Sequence, residues 1–355
     1  MRERHDGNSE YGPVRPPGIT GDRAGHFRRL EDVGDLHFHA FGFSNALDYY
    51  QQVYSHGDFA LTPVDDRLRV LRKGTDCLLL TGQFGAADSL LTTADGLIAQ
   101  ECSSADRAVE RALFQVRRAI YLRGISRLHD CLRMAKRAFA VLALTDEHRD
   151  VARLQATMGI AHHRLGRLEK AEEFYSDSLA TYRRIGFDLG VANIMNNLAL
   201  LKKNACQWDT ALNLLEKATE LANRIGASHL LPGFYLNQSI VLIKSNRHGE
   251  ARPFLDKGLS MARSLGDRLH QCRINLARGR LENLCGRQAR AEELLLGAKA
   301  MAEENGYRRE AVIADEYLGD VLLARGLAEK ALFNYELGLK KSRSIAAEND
   351  LEGEL

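Results

Sequence analysis

Written in rows of 40, the chain from about residue 147 onward repeats itself, with Ala171, Ala211, Ala251, Ala291 and Ala331 standing one above another. Three further columns keep the step. Gly159, Ala199, Ser239, Gly279 and Gly319 are always small; Tyr175, Leu215, Leu255, Leu295 and Tyr335 are always large and apolar; Ser178, Ala218, Gly258, Ala298 and Gly338 are small again. A fixed period of this length marks an array in which each unit buries its apolar face on the next, so 355 residues need no second globular core. Small residues on two successive helices let their backbones approach, and the large residue between them fills the layer. Each row therefore reads helix A, turn, helix B.

The breaks agree. Leu165-Gly166-Arg167, Ser245-Asn246-Arg247, Cys285-Gly286-Arg287 and Arg325-Gly326-Leu327 end helix A, and Ile185-Gly186, Ile225-Gly226, Leu265-Gly266 and Asn305-Gly306 close helix B. Gly and Asn take the left-handed conformation that stops a helix. The spacing predicts helices of about 17 residues, roughly 26 Å long. Only six prolines stand in the way. The expected fold class is all-α, a solenoid of antiparallel helix pairs.

Before residue 147 the register drifts. Residues 104–144 occupy the preceding row, with Cys131 in the alanine column, and 65–101 read as an earlier hairpin around Gly82-Gln83-Phe84-Gly85. Residues 45–62 read as one more helix, capped by Ser44, whose Tyr49, Tyr50, Val53 and Tyr54 cover the first hairpin. The repeat array is thus expected over 44–355, after an irregular or disordered tail over 1–43 that holds Pro13, Pro16 and Pro17 without periodicity. At the other end, helix B of the last complete row is expected to stop near Ile345, and Glu348 to Leu355 have the phase of a further helix A cut short. That pattern fits a fragment of a longer protein, or a terminal face covered by another domain.

Charge excludes less than it locates. Lys and Arg number 49 against 47 acids, a net +2, so no global pull toward nucleic acid or an anionic membrane is present. The run Arg107, Arg111, Arg117, Arg118, Arg123, Arg127 and Arg133 reads as a solvated face, since no aromatic stacking platform lies beside it. Nucleic-acid binding by this chain itself is not expected. No run of about 18 uncharged apolar residues suggests a membrane span, and six cysteines without C-x-x-C spacing read as reduced thiols of a cytoplasmic protein. Phosphate-loop, dinucleotide and nucleophile-elbow motifs are missing. His37-Phe38-His39 and the adjacent His162-His163 lack converging third ligands for zinc. The expectation is a non-enzyme with no metal or cofactor. Trp208, the sole tryptophan, reads as packing between hairpins.

On helix A of the row at 188–204, Asn193, Asn196, Asn197, Leu200, Lys203 and Asn204 share one face, and neighbouring rows add Arg153, Thr157, Arg164, Asn237, Lys244, Arg273 and Arg280. Asparagine is a poor helix former, and its amide donates and accepts at once, as a peptide backbone requires. Two readings stay open: these asparagines grip an extended peptide, or Asn197 and Asn237 join adjacent hairpins and only stabilise the stack. The candidate binding residues are Arg153, Asn193, Asn196, Asn197, Lys203, Asn204, Asn237, Lys244, Arg273 and Arg280.

The spacing of Gly159, Ala171 and Tyr175 resembles the tetratricopeptide repeat. The usual unit is about 34 residues, its early aromatic is here replaced by Gln155, Met195, Asn275 and Asp315, and its closing proline is absent. The longer unit is similar to the variety found in kinesin light chain, in sensor arms of bacterial transcription activators and in peptide-sensing quorum regulators; Asn196-Asn197-Leu198-Ala199 is similar to that subgroup's motif. The resemblance implies a right-handed superhelix whose A helices line a concave groove and bind a peptide or protein, as the sensor or docking region of a bacterial signalling or transcriptional regulator. A structural scaffold without a switch is the alternative. The non-catalytic arm of an enzyme whose catalytic domain lies elsewhere is a third.

Overall fold

The structure, a computed structural model, describes residues 23–101 and 104–354, with side chains described over 25–101 and 107–345. Residues 1–22 of the expected tail, and Cys102, lie outside the described residues. Two compact units form, one up to Phe187 and one from Asp188. In the first, α1 (Arg23–His39) pairs with α2 (Phe43–Tyr54), α3 (Val64–Leu80) with α4 (Phe84–Glu101), α5 (Ser104–Gly124) with α6 (Leu128–Leu142), and α7 (His148–Arg164) with α8 (Leu168–Arg184). In the second, α9 (Asp188–Asn204) pairs with α10 (Trp208–Arg224), α11 (Leu231–Lys244) with α12 (His248–Ser264), α13 (Arg268–Leu284) with α14 (Gln288–Glu304), and α15 (Arg308–Ala324) with α16 (Ala328–Glu354). Each unit is a helical solenoid of stacked hairpins, as the columns predict.

The columns do what their sizes require. Ala171, Ala211, Ala251 and Ala291 are fully buried. A β-carbon on Gly159 would lie 2.6 Å from the Tyr175 ring, and one on Gly279 the same distance from Leu295, so only hydrogen fits between helix A and the large residue of helix B. The hydroxyl of Ser178 donates to the Ala152 carbonyl at 2.8 Å, which shows how near α8 comes to the α7 backbone. Trp208 packs against the cluster of Ala199, Ala211, Leu215 and Val241.

Helix A ends at one recurring position. Ser126, Gly166, Cys206, Asn246, Gly286 and Gly326 all have φ between 57° and 76°. The next residue's N–H reaches back to the carbonyl of the last turn, as Arg167 does to His162 and Gln207 to Lys202, each at 2.9 Å. Most helices from α7 to α15 run 17 residues. The exception is α11, 14 residues long, because Pro232 sits in its first turn and a short 3₁₀ turn, Ser228–Leu230, precedes it.

The N-terminal part differs from the sequence expectation. Instead of an irregular tail, Arg23–His39 form α1, and α1–α2 is a hairpin of the same kind as the rest: Gly34, Ala46 and Tyr50 keep the spacing of Gly159, Ala171 and Tyr175. Gly34 lies against the Tyr50 ring, and Ala46 and Tyr50 are fully buried. The hairpin is capped at Gly42 rather than Ser44, without a side-chain cap bond. Thr75, Ala87, Leu91 and Ala94 repeat the pattern in α3–α4, and Ala119, Cys131, Ala135 and Ala138 in α5–α6, every one of them buried. The far end differs too. α16 continues without a break to Glu354, through the residues expected to open another helix A. The cause is one residue: Ala346 stands where Gly186, Gly226, Gly266 and Gly306 stop the other B helices with positive φ.

Candidate functional site

In the second unit the A helices pack side by side, α9 on α11, α11 on α13 and α13 on α15. Their shared face carries most of the candidate residues, because a 40-residue step returns each to the same angle on the next helix. The Nδ2 of Asn237 donates to Oδ1 of Asn196 at 2.8 Å. The inter-hairpin bond therefore joins Asn237 to Asn196 and not to Asn197, its column mate. Asn197, half-buried beside this pair, makes no side-chain hydrogen bond among the described residues. Asn193 turns back on its own helix, donating to the Leu189 carbonyl at 3.1 Å, and Asn204 is exposed at the end of α9.

The cations divide into two kinds. Arg273 is engaged by Glu310, Nε to Oε1 at 2.7 Å, and Arg280 lies over the Tyr317 ring while its guanidinium donates to the Tyr317 hydroxyl at 3.1 Å. Both links run from α13 to α15, so these arginines tie hairpins together as well as facing outward. Lys203 and Lys244 have no ion-pair or hydrogen-bond partner among the described residues. Burial, and then the neighbouring Lys244 ammonium, hold the pKa of Lys203 below the ordinary lysine value.

Arg153 belongs to the first unit and is committed to a buried cluster. Its guanidinium grips Asp76 at 2.8 and 3.2 Å. Arg117, also on Asp76 at 2.9 Å, bonds Asp150 at 3.0 Å and the Leu113 carbonyl at 2.9 Å. The expectation that the arginine run forms a solvated face is overturned here, since Arg117 is 1% exposed. The acids of neighbouring A helices supply the countercharge that makes burial tolerable. Elsewhere in the run Arg118 is paired with Asp88 and Asp95, each at 3.0 Å, and Arg127 and Arg133 share Asp130. Burial pushes the Asp76 carboxyl up, but the two guanidiniums outweigh it and hold it well below the usual carboxylate range. A second cluster joins α1, α2 and α3: Lys73 bridges Glu31 and Asp35, both at 2.7 Å, Arg69 forks onto Glu31, and the Tyr50 hydroxyl donates to Asp35. Thr157 is buried, and Arg164 is spent on the Arg123 carbonyl at 2.8 Å.

Among the described residues no group of three His, Cys, Asp or Glu is placed to hold a metal ion. His37 stacks on Tyr49, His39 bonds the Asp35 carbonyl, and His162 stacks on Phe174. Nor is any described helix long and apolar enough to cross a membrane.

The sequence model of the tetratricopeptide repeat family matches residues 110–184. No curated protein sequence matches the chain. Among solved structures, aspartyl phosphate phosphatase F from Bacillus subtilis is similar with a TM-score of 0.64 at 10% identity, over 93% of this chain and 96% of that one. A Rap protein complexed with competence and sporulation factor gives 0.63 at 12% identity, over 93% and 89%. The Rap conjugation gene regulator of plasmid pLS20, in complex with the Phr* peptide, gives 0.57 at 14% identity, over 97% and 81%. At such identities the likeness establishes the helical-repeat fold.

Proposed function

We propose that this chain, which carries repeats of the tetratricopeptide kind, binds an extended peptide or protein segment along the A-helix face of its second unit. It serves in this reading as the cytoplasmic sensor or docking region of a bacterial-type signalling or transcriptional regulator, with no chemistry of its own. The observation that carries the proposal is the amide cluster: the Asn196–Asn237 bond leaves the second N–H of Asn237 and the whole amino group of Asn196 to spare, and Asn197 keeps its full amide. These donors and acceptors, on half-buried side chains, suit a backbone that offers both. Of the structurally similar proteins, one is complexed with competence and sporulation factor and another with the Phr* peptide, which supports a scaffold suited to such ligands.

The scaffold reading gains one observation, because Asn196 and Asn237 do join adjacent hairpins. The two are separable. Immobilised chain is offered a degenerate pool of synthetic heptapeptides, and retained peptides are read by mass spectrometry. Replacing Asn196, Asn197 and Asn237 by Ala is expected to cut retention at least tenfold, about 1.4 kcal/mol, with the far-UV spectrum unchanged. Undiminished retention refutes the groove. Loss of retention accompanied by loss of helix assigns the asparagines to the stack instead.

A further inference from the structure

Exposed large apolar side chains gather on the α15–α16 hairpin. Of twelve among the described residues, Leu323, Leu327, Leu332, Phe333 and Leu339 belong to α15, α16 and the turn between them. Phe333, 65% exposed, is the plainest case. The same place on α10, α12 and α14 holds Asn213, Pro253 and Glu293, each exposed although a further hairpin packs on its helix. Another repeat stacked on α16 would therefore leave Phe333 in water. Leu327 stands where Gln207, Arg247 and Arg287 do, and lines a cleft with Leu322 and Phe333. Apolar residues at places that the array otherwise leaves to solvated ones, joined in one patch, mark a contact surface.

The charges around the patch say what covers it. At about 100° per residue, Leu332, Phe333 and Leu339 share one face of α16, about 120° wide, with Glu329, Glu336, Lys340 and Arg343, all of them exposed. The two acids lie in the first half of that face and the two bases in the second. None of the four side chains has an ion-pair or hydrogen-bond partner among the described residues. The helix dipole does not account for the order, because α16 runs on to Glu354 and Lys340 and Arg343 stand well before its last turn. A face that is acidic first and basic second complements itself when two copies run antiparallel.

We propose that α16 is a self-association surface, on which a second copy of this chain lays its own α16 antiparallel, with the two-fold axis at Glu336. Leu332 then meets Leu339 of the second copy, Phe333 covers the stem of the second copy's Lys340, and Glu329 faces its Arg343. Two-fold symmetry makes each contact twice. The two Glu336 carboxylates meet at the centre, and the Lys340 ammonium of each copy, about one helical turn away, offsets their repulsion. This surface lies on a B helix, apart from the A-helix groove, and does not depend on that groove binding a peptide.

The test is sedimentation of the full chain over a wide range of concentration, with the far-UV spectrum of each variant as the check on its fold. Wild type is expected to pass from monomer to dimer as concentration rises. Leu332→Ser/Phe333→Ser removes the apolar contacts, and Glu329→Arg sets two guanidiniums face to face; each is expected to weaken the dimer at least tenfold. The exchange Glu329→Arg/Arg343→Glu restores opposite charges across the axis and is expected to recover most of the association that Glu329→Arg loses. A monomer at every concentration overturns the proposal and leaves the patch to some other partner. A dimer that both weakening variants leave intact is built on a different surface, and overturns it as well. Failure of the exchange to recover association refutes the antiparallel pairing.

Discussion

A non-glycine residue held at positive φ carries strain of about 1 kcal/mol, because its β-carbon crowds the following carbonyl. Cys206 at 57° and Ser126 at 66° occupy positions where Gly166, Gly286 and Gly326 sit without that cost. Cys206→Gly and Ser126→Gly are each expected to stabilise the chain by about 0.5–1 kcal/mol, less what glycine's unfolded-state freedom takes back. The urea midpoint of each variant checks this, and a lower midpoint would mean that the native side chain makes a compensating contact. These two turns escape a search for Gly or Asn because geometry is imposed by the hairpins on either side, whatever residue stands there. The same limit hid the partners at the candidate site. Rows of 40 set Asn197 beside Asn237, yet the bond runs to Asn196, 41 residues away, and the links from α13 to α15 run over 37, so the side chains that meet are not the column mates. Nor could a list of arginines show that Arg117 is buried while Arg111 is exposed: that depends on Asp76 and Asp150 arriving from other hairpins.

At the scale of the hairpin, size is traded between helix A and helix B. Gly159 faces Tyr175 and Gly319 faces Tyr335, whereas Ala199 shares its row with Leu215 and Ser239 with Leu255. Tyr175 and Tyr335 each stand opposite glycine, whereas leucine is met by Ala199 and Ser239 in two rows and by Gly279, close against Leu295, in a third. Gly159→Ala is expected to cost about 1–3 kcal/mol through overpacking against the Tyr175 ring. Adding Tyr175→Leu recreates the Ala199–Leu215 combination and is expected to recover part of that loss. A double-mutant cycle in thermal melts reads the coupling, and strict additivity would refute the trade. The trade also explains which hairpins were legible. From Ala119 onward the small column keeps its 40-residue step, but it is 41 from Gly34 to Thr75 and 44 from Thr75 to Ala119. A fixed period loses α1–α2 and blurs α3–α4, although the triplet Gly34, Ala46, Tyr50 is intact. At the other end, a phase count continues past Ile345 as though a break were present, while Ala346 removes the break.

Across the whole molecule the two units rely on different interiors where their A helices meet. In the first, buried charge joins α3, α5 and α7 through Asp76, Arg117, Asp150 and Arg153; in the second, Leu236, Ile274, Ala277 and Leu281 of α11 and α13 meet in an apolar cluster. Stability in a repeat array is close to a sum of local terms, so damage to one set of interfaces stays near it. Removing the Asp76 charge leaves two guanidiniums with less countercharge in the interior, which costs about 3–5 kcal/mol. The Asp76→Asn variant is expected to lose far-UV helical signal at lower urea in a first transition, while Trp208, in the second unit, reports an unmoved second one. A Trp208 curve that shifts together with the helical signal would show that the units unfold as one. Acid supplies an independent control with a definite sign. The Asp76 carboxyl titrates lower in the folded chain than in the unfolded one, so its contribution is fully present above the unfolded value of about 3.9 and is lost as pH falls toward the folded value. The stability gap between wild type and Asp76→Asn is therefore expected to be widest near neutrality and to narrow steadily below about pH 4. A gap that stays constant down to pH 3 would mean that the destabilisation comes from lost packing and not from the buried charge.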